Sequence, residues 1–140
     1  MFRNPSDDEI RALLAGARRI AVVGLSPKPE RPSHRIARRL QGWGYRIIPV
    51  RPALDEVLGE KAYARLADVP GPIDLVDAFR PAHALGALVE ECVALGVPAI
   101  WIQEGIVNEA AAERARAAGL FVVMDRCISV DYRRLMERAA

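Results

Sequence analysis

The loop Gly24-Leu25-Ser26-Pro27-Lys28-Pro29-Glu30-Arg31-Pro32-Ser33 concentrates groups that hold anions. Ser26 and Ser33 offer hydroxyls, and Lys28 and Arg31 offer positive charge. Glycine at position 24 has no Cβ, so a backbone can pass close to a ligand there. Ser33 reads as the N-cap of a following helix, whose first N–H groups and dipole would favour an anion. Three prolines restrict the loop before anything binds, which lowers the entropy lost on binding.

Arg51, in Pro49-Val50-Arg51-Pro52, stands where a nicotinamide site would place Asp or Glu against a ribose diol. Arginine there suits a ribose phosphate, as in NADP or in coenzyme A with its 3′-phosphate. A dinucleotide loop needs G-x-G-x-x-G, and only Gly24 is present. The G-x-x-x-x-G-K-[ST] phosphate loop is missing too. Arg80 follows Phe79 at the end of an apolar run, where it could meet phosphate, and Phe79 could stack on adenine or belong to the core. Gln103 leads a Gln103-Glu104-Gly105 turn after another apolar run.

The remaining reactive residues read as structural. Cys92 and Cys127 are too few for a disulfide framework; Cys127 has no evident low-pKa environment, and Cys92, mid-helix, reads as core. His34 has no evident partner as a base, and with His83 it gives little scope for metal chemistry. Asp74 and Asp77 fall on opposite faces of one strand and form no carboxylate pair. Asp125 and Arg126 read as a loop ion pair.

The elements that position these residues follow from the punctuation. Ser6 with Glu9 forms a capping box for a first helix ending at Gly16. Apolar runs at 19–24, 45–50, 73–79, 98–102 and 120–124 read as buried strands, with Pro49 marking the end of the second. Helices are expected after Ser33, from Pro81 to Leu95, after Asn108, and from Ser129 to Arg138. Residues 51–72 read as a long connection with a turn near Asp55–Gly59. Short apolar strands alternating with helices predict an α/β fold. The expected architecture is a Rossmann-like, doubly wound, five-stranded parallel sheet, in order 3-2-1-4-5, with residues 1–140 as one domain.

Composition narrows the function classes. A chain of 140 residues with 51% hydrophobic and 27% charged residues can build a core, which argues against disorder. A net charge of +2 does not call for nucleic acid, and no apolar run approaches the length of a membrane span. The N-terminal stretch has no signal-peptide core, so a cytoplasmic setting with reduced cysteines is expected.

Several segments in this order resemble the small stand-alone CoA-binding proteins. They include Ala21-Val22-Val23-Gly24-Leu25-Ser26, Arg31-Pro32-Ser33, Ile48-Pro49-Val50, Val76-Asp77-Ala78-Phe79-Arg80, Trp101-Ile102-Gln103 and Val123-Met124-Asp125-Arg126-Cys127. That family is similar to the CoA-binding domain of the succinyl-CoA synthetase α subunit. The resemblance implies coenzyme A or an acyl-CoA as ligand. It assigns Gly24, Leu25, Ser26, Ser33, Val50, Phe79 and Arg80 to the site. Asn often stands in the family where this chain has Arg51, and Leu where it has Glu104. Neither a ligase domain nor a nucleophile–base pair is visible, so binding, alone or as a regulatory subunit for a protein partner, is expected rather than catalysis. A small NADP-binding reductase is the alternative.

Overall fold

The computed structural model describes residues 1–137. Its elements run α1 (Asp7–Gly16), β1 (Arg19–Val23), α2 (Pro32–Gly42), β2 (Arg46–Val50), β3 (Glu56–Val57), β4 (Glu60–Lys61), β5 (Leu75–Ala78), α3 (Leu85–Leu95), β6 (Ala99–Ile102), α4 (Glu109–Ala117), β7 (Phe121–Met124) and α5 (Ile128–Met136). Short 3-10 turns at Leu66–Asp68 and Ala82–Ala84 precede β5 and α3.

The main sheet has five parallel strands in the order β2-β1-β5-β6-β7. Its strands are the five apolar runs. The central strands β5 and β6 are buried along their whole length, because helices cover both faces of a parallel sheet. One face packs Ala21, Val76, Ile100 and Val122 against α3 and α4. The other packs Ile20, Val22, Trp101 and Val123 against α1, α2 and α5.

The winding is of the 3-2-1-4-5 kind, with one reassignment. The run at 73–79 lies beside β1 rather than outside β2. The position outside β2 is held by Tyr63, which bridges Val50 in parallel. Tyr63 donates its N–H to the Pro49 carbonyl and accepts from Arg51 N–H, at 2.9 and 2.8 Å. Pro49 therefore sits inside β2 and does not end it. Its missing N–H faces this sparsely bonded outer edge, where a proline is tolerated.

Other expectations hold with adjustments. The Ser6–Glu9 capping box and the Asn108 cap of α4 are present. Two of the caps differ: α2 begins at Pro32 with Arg31 before it, and α5 follows Cys127. The expected end of the last helix at Arg138 lies outside the described residues. The connection at 51–72 contains a small antiparallel hairpin, β3–β4, turned by Leu58 and Gly59, both at positive φ. Met1 to Asn4 bring a further covering for the edge strand. The Asn4 side chain donates to the Met124 carbonyl and accepts from Met124 N–H, at 2.9 and 2.8 Å, as a neighbouring strand would.

Candidate functional site

The winding of the sheet reverses between the adjacent parallel strands β1 and β5, whose following connections leave toward opposite faces and open a crevice beyond the strands' carboxyl ends. Gly24 closes β1 there. Its N–H donates to the Val50 carbonyl at 2.9 Å, and its φ is 89°. A Cβ on Gly24 would overlap the Phe79 carbonyl oxygen. Glycine is thus required by the neighbouring strand's backbone.

The loop after Gly24 is folded by its own hydroxyls. Ser26 N–H donates to Ser33 Oγ at 2.9 Å, and Lys28 N–H donates to Ser26 Oγ at 3.1 Å. The Ser26 carbonyl faces His34 Nδ1 at 3.0 Å. A carbonyl can only accept, so Nδ1 carries the hydrogen and His34 is a buried loop fastener. Ser33 is not the expected N-cap, because α2 starts one residue earlier and its hydroxyl instead ties the loop shut. Pro32 has no N–H, and those of His34 and Arg35 go to the Arg31 carbonyl. Among the described residues, the N–H groups of Leu25 and Ser33 have no protein acceptor.

This loop walls a cavity of about 650 Å³ together with Arg51, Phe79 and Arg80. Gly24, Ser26, Lys28, Arg31 and Ser33 all line it. Four cations therefore face one space: Lys28, Arg31, Arg51 and Arg80. No carboxylate lines it, and none of the four is in an ion pair among the described residues. Each is followed directly by proline, as Lys28-Pro29, Arg31-Pro32, Arg51-Pro52 and Arg80-Pro81. No other Lys or Arg in the chain precedes a proline. A residue before proline is held in extended backbone, as Arg31 shows with φ −77° and ψ 144°. The cations are thus mounted on stiff corners. That repeated cation–proline pair was a sequence signal for the site that residue-by-residue reading missed.

A second cavity, of about 420 Å³, adjoins the first through Arg80 and Pro52. Its walls are mostly apolar, with Val23, Val50, Leu66, Ala84 and Leu88, and Arg65 and Glu91 are also on its lining. Val50 belongs here rather than among the cations. Residues 64–67, which contribute to this cavity, were not expected at the site.

Two expected residues lie outside both cavities. The Leu25 side chain is fully buried among the α1, α2 and α5 residues, so only its backbone N–H can serve a ligand. Gln103 is also buried and donates Nε2–H to Asp77 Oδ1. Asp77 itself is fully buried, and its Oδ2 has no hydrogen-bond partner. Burial pushes the Asp77 carboxyl up to about 7, against a smaller lowering by the Gln103 hydrogen bond.

Nearby reactive groups are accounted for by structure. Cys92 is buried in α3, and burial, aided by Glu91, pushes its thiol up to about 12. Cys127 Sγ lies 3.2 Å from Ser129 Oγ. Arg126 pairs with Asp131 in a bidentate bond at 2.6 and 2.8 Å, and not with Asp125 as expected. Asp125, at φ 60°, instead accepts the Gly105 N–H at 2.7 Å and anchors the turn after β6. No group of three or more His, Cys, Asp or Glu placed to hold a metal occurs among the described residues. Among them no helix is long and apolar enough to cross a membrane.

Comparison with known proteins gives consistent matches. Residues 18–133 match the family model described as CoA binding domain. The chain is 45% identical over 131 residues to the protein YneT of Bacillus subtilis (strain 168), covering 94% of this chain and 97% of that one. A solved structure of a Pyrococcus horikoshii OT3 protein superposes with a TM-score of 0.91 at 35% identity, covering 97% and 98% of the two chains. The α subunit of acetate–CoA ligase [ADP-forming] II from Pyrococcus furiosus is 27% identical over 124 residues. That match takes in 81% of this chain but only 27% of the ligase subunit.

Proposed function

The chain belongs to the CoA-binding domain family, and from that premise we propose that it binds coenzyme A or an acyl-CoA in the cleft at the ends of β1, β2 and β5. The observation that carries this reading is the set of four unpaired, proline-backed cations around one cavity. A phosphomonoester carries about −1.5 to −2 charge at neutral pH, and a pyrophosphate diester adds about two more. Four cations balance that load, whereas one phosphate would leave most of them uncompensated. Arginine adds paired donors suited to phosphate oxygens, and the free N–H groups of Leu25 and Ser33 add two more.

The adjoining apolar cavity suits the flat adenine, reached past Arg80 and Pro52. The pantetheine arm then leaves past Phe79 toward the Gln103-Glu104-Gly105 turn. Site residues in this reading are Gly24, Leu25 through its N–H, Ser26, Lys28, Arg31, Ser33, Val50, Arg51, Phe79, Arg80 and Gln103.

The role is binding, alone or in service of a protein partner. No thiol or hydroxyl beside the cleft has a base in hydrogen-bond reach among the described residues, which supports a non-catalytic reading. Mass spectrometry of the natively purified protein, then calorimetry with CoA, dephospho-CoA, NADP and NAD, tests it. CoA binding tightest is the expected result. NADP binding more tightly than CoA overturns the reading.

A further inference from the structure

Asp77 is an unusual residue for its place. It lies mid-strand in β5, at the centre of the sheet, fully buried and opposite Val22 of β1 and Trp101 of β6. Its only side-chain partner is Gln103, and its second oxygen is left without any. An acid in the core of a sheet costs stability unless its oxygens are hydrogen-bonded, and one of these two is not. The register supplies a candidate role. Asp77 and Phe79 alternate onto one face of β5, as Trp101 and Gln103 do on β6, and paired residues share a face. Gln103 therefore stands on the same face as Phe79, which lines the cationic cavity, one strand further along.

The Gln103 amide turns its NH₂ inward, donating Nε2–H to Asp77 Oδ1, and the ionised form of Asp77 can only accept. The amide's carbonyl oxygen is then presented on the other side. Among the described residues that Oε1 receives no hydrogen bond, and Gln103 keeps 3% of its surface exposed. With an apolar residue at 77, nothing would choose between the two faces of the amide.

We infer that Asp77 is a positioning residue, which fixes the Gln103 amide so that its Oε1 accepts a hydrogen bond from an amide N–H of the ligand's arm. This rests on the CoA reading above, and it adds the part of the ligand that Gln103 recognises and the residue through which that recognition is set. Adenosine 3′,5′-bisphosphate carries the phosphates and base but no amide arm. The inference therefore predicts that this pair affects CoA and not the bisphosphate.

The test is calorimetric titration of both compounds into the wild type, Gln103→Leu, Asp77→Asn and the double variant. Gln103→Leu should weaken CoA by about fivefold to tenfold, the scale of one net hydrogen bond, and leave the bisphosphate unchanged. Asp77→Asn keeps the shape and an acceptor but no longer forces the amide, so it should weaken CoA by a smaller factor. In the double variant it should add nothing to Gln103→Leu, because it acts through that residue. A purely structural role for Asp77 would shift both compounds together, or would add to Gln103→Leu, and either result overturns the inference. Unchanged CoA affinity in Gln103→Leu overturns it too. Binding of the bisphosphate with no gain for CoA in the wild type would overturn the placement of the arm. Binding of neither compound would overturn the CoA reading itself.

Discussion

Gly24 and Phe79 meet backbone to backbone at the point where the sheet's winding reverses: a Cβ on Gly24 would occupy the space of the Phe79 carbonyl oxygen. The Phe79 N–H in turn donates to the Val23 carbonyl at 2.9 Å. The two strand ends are thus locked together beneath the cleft. Gly24→Ala combines an overlap with backbone and a positive φ of 89°. It should cost about 2–4 kcal/mol of stability, read as a lower midpoint in denaturant. A stability within 0.5 kcal/mol of wild type, about the size of a neutral surface change, would show that the strands part easily.

Ser33→Ala should act through the loop rather than through the helix. The Ser26 N–H, buried beneath the loop, would lose its acceptor, at about 1–3 kcal/mol. Ser26 would then be free to move, so CoA affinity should fall with stability. Hydrogen exchange at the Ser26 amide reads the effect directly, and unchanged protection there would contradict it.

Asp77 makes stability depend on pH. Its folded value is raised from 3.8 to about 7, so the native state holds this proton more tightly than the unfolded chain. Its contribution is fully present below pH 3.8, is lost as pH rises toward 7, and stays lost above. Asp77→Asn removes the titration and keeps an acceptor for Gln103. The variant should gain on the wild type across that window and be more stable at pH 8, by an amount on the order of a few kcal/mol. Thermal melts at pH 5 and pH 8 check this, and equal differences at both pH values would contradict it.

Arg51 should report the 3′-phosphate. Arg51→Ala is expected to weaken CoA by about 1.5–3 kcal/mol, the range for hydrogen bonds to charged groups. Dephospho-CoA should be affected far less. Equal losses for the two ligands would move the 3′-phosphate to another of the cations.

The sheet was legible because its strands are short apolar runs broken by Gly and Pro, and helices at that spacing leave few other ways to cover them. The hairpin at Glu56–Lys61 was not, because its turn puts Leu58 at φ 55°, a conformation leucine does not advertise. In the sequence Ser33 reads as a cap because a hydroxyl before a helix usually caps it, and the sequence does not distinguish capping from fastening the preceding loop. The spacing of Asp74 and Asp77 puts them on opposite faces of a strand and says nothing of how deeply Asp77 is buried. Its burial follows only from β5 being flanked by β1 and β6, a fact of topology. Lys28, Arg31, Arg51 and Arg80 were each recognisable singly, but their convergence depends on the reversal between β1 and β5.

The central claim is that the proline-backed cations form one polyphosphate-binding site for CoA. Its most direct measurement is side-by-side calorimetric titration of CoA into the wild type and into Arg31→Ala/Arg80→Ala, both confirmed folded by circular dichroism. Saturable one-to-one binding by the wild type, weakened at least about a hundredfold in the variant, is the predicted result. Equal affinity in the two folded proteins would contradict the account and place the ligand elsewhere on the fold.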